Sequence, residues 1–243
     1  MIELFAALQF LTIFPPVFKR PFTVQELGRS AGVYPLVGLL LGAVMAGVYW
    51  LLGHALPAPV VFVLVLVVWV SFTRALHIDG FMDCCDGLFG GFTPERRLDI
   101  MRDSRVGAFG VAGGVLLILA KYVFLTAQPA PLTSLILIPA IGRWALTFGI
   151  ALFPYARESG MGRDIKDHTR WPQLLLATLT VLAAAWLLSA WFGLVLVASA
   201  AVFSFLWFNY VQRLIPGLTG DVYGATCEMV ELLMLLISAQ ILI

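Results

Sequence analysis

Charge is what this chain has least of. Only 12% of its 243 residues are Asp, Glu, Lys or Arg, and 15 basic against 14 acidic residues leave a net charge of +1. That balance provides no basic face for nucleic acid, so no nucleic-acid partner is expected. Cysteine is also sparse. Cys84, Cys85 and Cys227 make no zinc-ligand spacing, and the vicinal pair does not suit a structural bridge. All three read as reduced thiols packed as small apolar groups. The N-terminus, MIELFAALQFLTIFPP, has neither a basic leader nor a small-residue cleavage site, so it does not read as a cleaved signal peptide. Internal repeats and low-complexity linkers are lacking too, which leaves a single domain over residues 1–243 as the expectation.

What remains is apolar. Hydrophobic residues make up 61% of the chain, with 18 Phe and 7 Trp, and the mean hydropathy is +0.97, a membrane-protein composition. Segments 32–52, 60–72 with its flanks, 107–126, 132–154, 172–191, 193–211 and 224–243 are apolar over about the 20 residues that a bilayer crossing needs. Residues 2–14 are too short to cross and end at Pro15-Pro16, so they read as an interfacial or re-entrant helix. The expected fold is therefore all-α, a polytopic helical bundle of about seven spans plus an N-terminal interfacial helix. Seven spans put the basic connections, at 19–29, 74–105, 157–170 and 213–221, all on one side of the lipid bilayer. The positive-inside rule makes that side cytoplasmic, in a multi-pass protein of the cell (inner) membrane.

Within this apolar chain, residues 74–105, RALHIDGFMDCCDGLFGGFTPERRLDIMRDSR, gather five aspartates and five arginines. Asp79, Asp83 and Asp86 fall at i, i+4 and i+7, on one stripe of a helix, and Asp99 and Asp103 repeat the i, i+4 spacing. Between them, three glycines permit a turn, while Thr93, Pro94 and Glu95 read as an N-cap, a first-position proline and an acidic first-turn residue. Two helices facing each other across that turn would bring the carboxylates together. Such a group repels itself unless a cation intervenes, and no lysine lies inside it. Oxygen-only ligands suit Mg²⁺ or Mn²⁺, with Mg²⁺ arriving alongside a substrate phosphate. The competing interpretation is a solvated loop whose carboxylates pair with Arg96, Arg97, Arg102 and Arg105.

Other polar groups stand out because ionisable residues within spans are costly and functional by default. Lys121 is read either as snorkelling to an interface or as attracted to phosphate. Arg143, mid-span, is a candidate for an anionic substrate group. The glycine-rich basic loop 155–170 offers Arg157 and Arg163 to phosphate. In PGLTGDVYGATCEMVE, Asp221 precedes the last span, and Glu228 and Glu231 share one helical face that should point into the bundle. They serve either a polar substrate or metal pocket, or a structural contact to an arginine.

The central block LHIDGFMDCCDGLFGGFTPERRLDIMRDSRVGAFG, with FLTIFPP before it and GLTGDVYGATCEMVE after it, resembles the adenosylcobinamide-GDP ribazoletransferase, or cobalamin phosphate synthase, family. The resemblance implies a Mg²⁺-dependent membrane enzyme of late cobalamin biosynthesis. It would join adenosylcobinamide-GDP to α-ribazole or its phosphate and release GMP. The block is more loosely similar to the CDP-alcohol phosphotransferases, with Asp83-Cys-Cys-Asp86-Gly87 and Asp99-Ile-Met-Arg-Asp103 as the two acidic halves, but its interval is shorter and it lacks their Ala-Arg.

Under the first resemblance, Asp79, Asp83, Asp86 and Asp99 are the expected metal ligands. Asp103 is the expected base, with Asp99 as the other choice. Arg96, Arg102, Arg105 and Arg143 are expected to stabilise phosphate charge, and Asp221, Glu228 and Glu231 to bind ribazole or corrinoid edges. The rivals are a phosphotransferase with a lipid-alcohol acceptor and a cation-coupled transporter. Monomer and homo-oligomer both stay open.

Overall fold

In a computed structural model, residues 1–129 and 131–239 are described; the end of the last expected span, at 240–243, lies outside them. The chain is a helical membrane bundle. A short helix α1 (Ile2–Leu11) leads to α2 (Val24–Ser30), followed by α3 (Tyr34–Leu52) and α4 (Ala58–Phe72). Next come α5 (Leu76–Gly90), α6 (Pro94–Ile100), α7 (Ala108–Thr126), α8 (Pro131–Leu152), α9 (Met161–His168), α10 (Trp171–Val211) and α11 (Gly220–Ala239).

Local sequence sets the boundaries. Thr23 and Glu26 cap α2 reciprocally: Thr23 Oγ1 accepts from the Glu26 amide and the Glu26 carboxylate accepts from the Thr23 amide. Thr93 caps α6 as its sequence foretold, accepting from the Arg96 amide ahead of Pro94. The α4–α5 junction bends by 84° because Arg74 and Ala75 both take left-handed backbone, φ 52° and 55°.

Five helices are long and apolar enough to cross a membrane, or six if the bent α4–α5 pair is one span. The expected seven arises because α10, 41 residues long, is about twice the length a bilayer accommodates. Its backbone breaks at Ala190 (φ 46°, ψ −131°), where the sequence also divides into two apolar runs. The halves fold back on each other, since Gly193 packs directly on the Ala185 carbonyl. Both outer ends of α10 then reach the same end of the bundle: Gln173 lies against Gly32, and Phe208 lies against Gly149 and Phe153. We therefore treat 171–189 and 191–211 as a helical hairpin.

Apolar packing has two tiers. One core lies along the spans around Met45, Val65, Leu135, Ile138 and Leu196. The other, around Leu11, Tyr34, Phe153, Phe208 and Val222, lies under the charged connections. Outward positions stay apolar: Leu40, Val44, Val63, Val67, Leu116 and Leu187 are exposed on the bundle's flanks, which suits a lipid surround. The three cysteines are free thiols, with Cys84 and Cys227 buried.

Candidate active site

The four charged connections gather at one end. The Thr169 hydroxyl donates to the Gly28 carbonyl at 3.0 Å, Arg97 donates to the Leu214 carbonyl at 3.1 Å, and Arg157 pairs with Asp221 at 2.8 Å. Of the 15 basic residues, all but Lys121 and Arg143 lie in those connections, as the alternating charge pattern foretold.

Backbone pairing fixes the heart of this face. The Ala156 amide donates to the Leu218 carbonyl and the Leu218 amide to the Pro154 carbonyl, each at 2.8 Å. This clamp ties the start of the 155–160 loop to the lead-in of α11, which is why Arg157 meets Asp221. Asp221 also accepts from the Thr219 hydroxyl at 3.2 Å. α5 runs alongside α11, with Gly80 against the Asp221 backbone and Gly224 against the His77 backbone. Together these elements enclose a cavity of about 310 Å³ whose walls include His77, Asp79, Tyr155, Arg157, Asp221 and Tyr223.

Carboxylates crowd the α5 side of this cavity. We place α5 outside the membrane spans, because it turns away from α4 and lies among the charged connections. There Asp83, half-buried, is pushed up to about 7, first by burial and then by the negative charges of Asp221, Asp79 and Asp86, with Arg157 opposing. Asp79, Asp83 and Asp221 therefore form one electrostatic group. Asp86 has a different task. Its carboxylate accepts the Gly107 amide at 2.7 Å and the Gly110 amide at 2.8 Å, so it caps the otherwise uncapped N-terminus of α7 and meets its dipole. A Cβ at 107 or 110 would displace that carboxylate from the amides.

The second acidic set does not continue the stripe. α6 ends at Ile100, so Asp99 is exposed on its surface and Asp103 falls in the following turn. Asp103 makes a two-point pair with Arg105, at 3.0 and 2.7 Å. That hydrogen bonding holds its carboxyl at about 2, far below what a proton acceptor near neutrality needs. Neither Asp103 nor Arg105 lines the cavity, and Asp83 does not line it either but lies one turn along α5 from Asp79, which does. Arg96 and Arg102 are exposed, and Arg163 pairs with Asp167 one turn along α9 at 2.8 Å. Of the arginines singled out in the sequence, only Arg157 lies in the cavity wall.

Arg143, Glu228 and Glu231 lie together with Lys121 in a buried ion network. Lys121 Nζ lies 2.5 Å from Glu228 Oε2 and 2.6 Å from Glu231 Oε2, although the first contact lacks hydrogen-bond alignment. Arg143 pairs with the other oxygen of Glu231. All four side chains are at most 4% exposed, and Lys121 Nζ lies 4.4 Å from the Trp69 ring centre. Two positive and two negative groups cancel, so burial is tolerated without a ligand. The inward orientation foreseen for both glutamates holds, but their partners are protein cations.

His77 joins this network to the cavity. Arg143 Nη2 lies 3.3 Å from its Nδ1, while the ring itself lines the cavity. Sequence reasoning missed His77 along with Tyr34, Tyr155 and Tyr223, because aromatic residues in an apolar chain read as core. The signal was position: His77 precedes Asp79 and Tyr223 follows Asp221 by two residues each.

Comparison with known proteins converges on one group. The family described as cobalamin-5-phosphate synthase matches residues 3–239. A relative named adenosylcobinamide-GDP ribazoletransferase from Desulforamulus reducens is 41% identical, over 93% of this chain and 91% of its own. Relatives of the same name from Desulfitobacterium hafniense, 38% identical over 97% and 96%, and from Roseiflexus sp., 36% identical over 94% and 86%, agree. No solved structure matches the chain.

Proposed function

The chain belongs to the cobalamin-5-phosphate synthase family, and from that premise we propose that it transfers the adenosylcobinamide phosphate group of adenosylcobinamide-GDP to α-ribazole or α-ribazole phosphate, releasing GMP. The observation that carries this is the family match along nearly the whole chain. The cavity adds a place for the chemistry, with carboxylates and an arginine at one mouth on the charged end. By the positive-inside rule that end faces the cytoplasm of a cell whose inner membrane holds the bundle.

The acceptor hydroxyl oxygen attacks the phosphorus that bears the cobinamide. The bond between that phosphorus and the bridging oxygen breaks, and GMP departs with the bridge. Arg157, held by Asp221 at 2.8 Å, offers its guanidinium to the diphosphate oxygens. Asp83, poised near neutrality by burial and its neighbours, takes the hydroxyl proton in place of Asp103.

Mg²⁺ fits the donor set. Asp79 and Asp221 supply oxygen ligands in an excess of negative charge, whereas both Asp86 oxygens already serve the α7 amides. Among the described residues no three His, Cys, Asp or Glu side chains converge in ligand geometry. A Mg²⁺ ion here would be held by one or two carboxylates and completed by substrate phosphates and water. When bound, Mg²⁺ would neutralise diphosphate charge.

The test is GMP release by purified protein in liposomes, given adenosylcobinamide-GDP and α-ribazole with and without Mg²⁺. Release that needs all three is expected. Release only with CDP-activated lipid donors would transfer the chain to the lipid-alcohol class.

A further inference from the structure

Two aromatic pairs line the cavity. Phe10 and Tyr34 stack with ring centres 6.3 Å apart and planes at 29°, and Tyr155 and Tyr223 lie 6.1 Å apart at 31°. All four line the same space, together with Leu146 and Ile150. Its volume of about 310 Å³ is at the small end for ligand pockets. It holds one small ring system with its sugar, whereas a corrin macrocycle is far too large.

Two polar atoms on the lining side chains, Tyr223 Oη and His77 Nε2, are buried without a hydrogen bond, although buried polar atoms are nearly always satisfied, and Tyr34 Oη has only the Ser30 hydroxyl beside it, outside good hydrogen-bond geometry. All three can donate. The two phenols carry O–H, and His77 is fixed by its other nitrogen: Arg143 can only donate to Nδ1, so the ring proton sits on Nε2. The cavity therefore combines flat apolar walls with unused donors. It wants a planar ligand whose few polar atoms accept.

We infer that this slot is the acceptor-nucleoside subsite, which takes the bicyclic base of α-ribazole among its aromatic side chains and turns the ribose hydroxyl toward Asp79 and Asp221, one turn of α5 from Asp83. The inference rests on the reaction proposed above and adds the place and orientation of one substrate. A benzimidazole has an apolar body and a single accepting ring nitrogen, and ribose oxygens can accept the remaining donors. Guanine, by contrast, needs acceptors for its exocyclic amine and ring N–H, and the carboxylates in the lining, Asp79 and Asp221, are already assigned here to Mg²⁺ and Arg157. The nucleotide of the donor substrate therefore lies outside the slot, beyond Arg157.

The test uses the full-length protein in detergent with Tyr34→Phe and Tyr223→Phe, which remove a hydroxyl and keep the ring. Binding of α-ribazole and of GMP is measured by calorimetry, and KM is measured for each substrate. Each variant should weaken α-ribazole binding several-fold to about tenfold, the effect of one hydrogen bond, and leave GMP binding and the KM for adenosylcobinamide-GDP within about twofold. Free 5,6-dimethylbenzimidazole should compete with α-ribazole and not with GMP. Weaker GMP binding with unchanged α-ribazole binding would hand the slot to guanine and overturn the inference. The two levels of the proposal separate in the wild type. If it releases no GMP from the two substrates, the reaction itself is wrong and the subsite falls with it. If it turns over but neither tyrosine variant affects α-ribazole, only the subsite is wrong.

Discussion

Replacing Lys121 by Met leaves two buried carboxylates facing one guanidinium. Lys121 Nζ now contacts Glu228 at 2.5 Å and Glu231 at 2.6 Å, and at an effective dielectric near 20 each such contact carries about 6 kcal/mol of gross attraction. Much of that offsets the desolvation of the charges, so the net loss on removing one partner is about 3–5 kcal/mol. Adding Glu228→Gln removes the orphaned charge and leaves the Arg143–Glu231 pair intact. The double variant should therefore recover about 2 kcal/mol relative to additivity. SDS titration in mixed micelles, followed by tryptophan fluorescence, measures both, and Trp69 beside Lys121 reports locally. A Lys121→Met loss below about 1 kcal/mol, or strict additivity in the cycle, would refute a charge-neutral network as the reason these groups are tolerated.

Other predictions address single side chains. Asp86→Asn keeps one accepting oxygen and so should cost about 1.5–3 kcal/mol of stability, one charge-assisted hydrogen bond to the start of α7; loss of Mg²⁺ activation at unchanged melting temperature would instead mark Asp86 as a metal ligand. GMP release should rise with pH as Asp83 ionises, with a midpoint that Mg²⁺ beside Asp79 and Asp221 draws below the metal-free value of about 7, and Asp83→Asn should abolish it. The folded pKa of Asp83 is raised, so its stabilising contribution is full at acid pH, below its unfolded value, and is lost as pH rises toward 7. In metal-free protein at pH 8, Asp83→Asn should accordingly raise the melting temperature, and a fall would contradict the crowding of carboxylates. Ala190→Gly, at φ 46°, should stabilise the α10 hairpin by about 1 kcal/mol in the same SDS titration; destabilisation would show that the left-handed backbone there carries no strain.

The fold was legible where it depends on length and charge. Seven apolar runs and four basic connections gave the bundle and its sidedness, and the Thr93-Pro94 signal gave the start of α6. The site was legible only in part. Periodicity places Asp79, Asp83 and Asp86 on one stripe, but it does not reveal that Asp86 meets the amides of a helix starting 21 residues later. The i, i+4 pattern of Asp99 and Asp103 assumed a longer helix, and α6 stops between them. For Glu228 and Glu231 the sequence left open a substrate or metal pocket and a structural contact to an arginine, and it named neither Lys121 nor Arg143 as that partner. Their mutual cancellation is a tertiary fact, since Lys121 and Glu231 are 110 residues apart.

α11 carries most of the remaining alignment. Asp221 in its first turn lies at the cavity mouth, Tyr223 and Gly224 form the wall, and Glu228 and Glu231 anchor it below. α5 sets the mouth by pressing Gly80 against the Asp221 backbone. A Cβ on Gly80 would sit 2.9 Å from the Asp221 carbonyl oxygen and 3.0 Å from its Cα, closer than backbone atoms tolerate, so Gly80→Ala must push the two helices apart. The displacement opens Asp79 from Asp221, the two carboxylates assigned to Mg²⁺, while the buried ion network two to three turns further along α11 still holds the bundle. The expected result is a fall in GMP release of at least about tenfold, since small misplacements of a reacting group are costly. Part of the loss should be restored by raised Mg²⁺, with α-ribazole binding less affected and the SDS midpoint only modestly lowered. A Gly80→Ala protein with normal release and normal Mg²⁺ dependence would mean that the spacing of α5 and α11 does not govern the site.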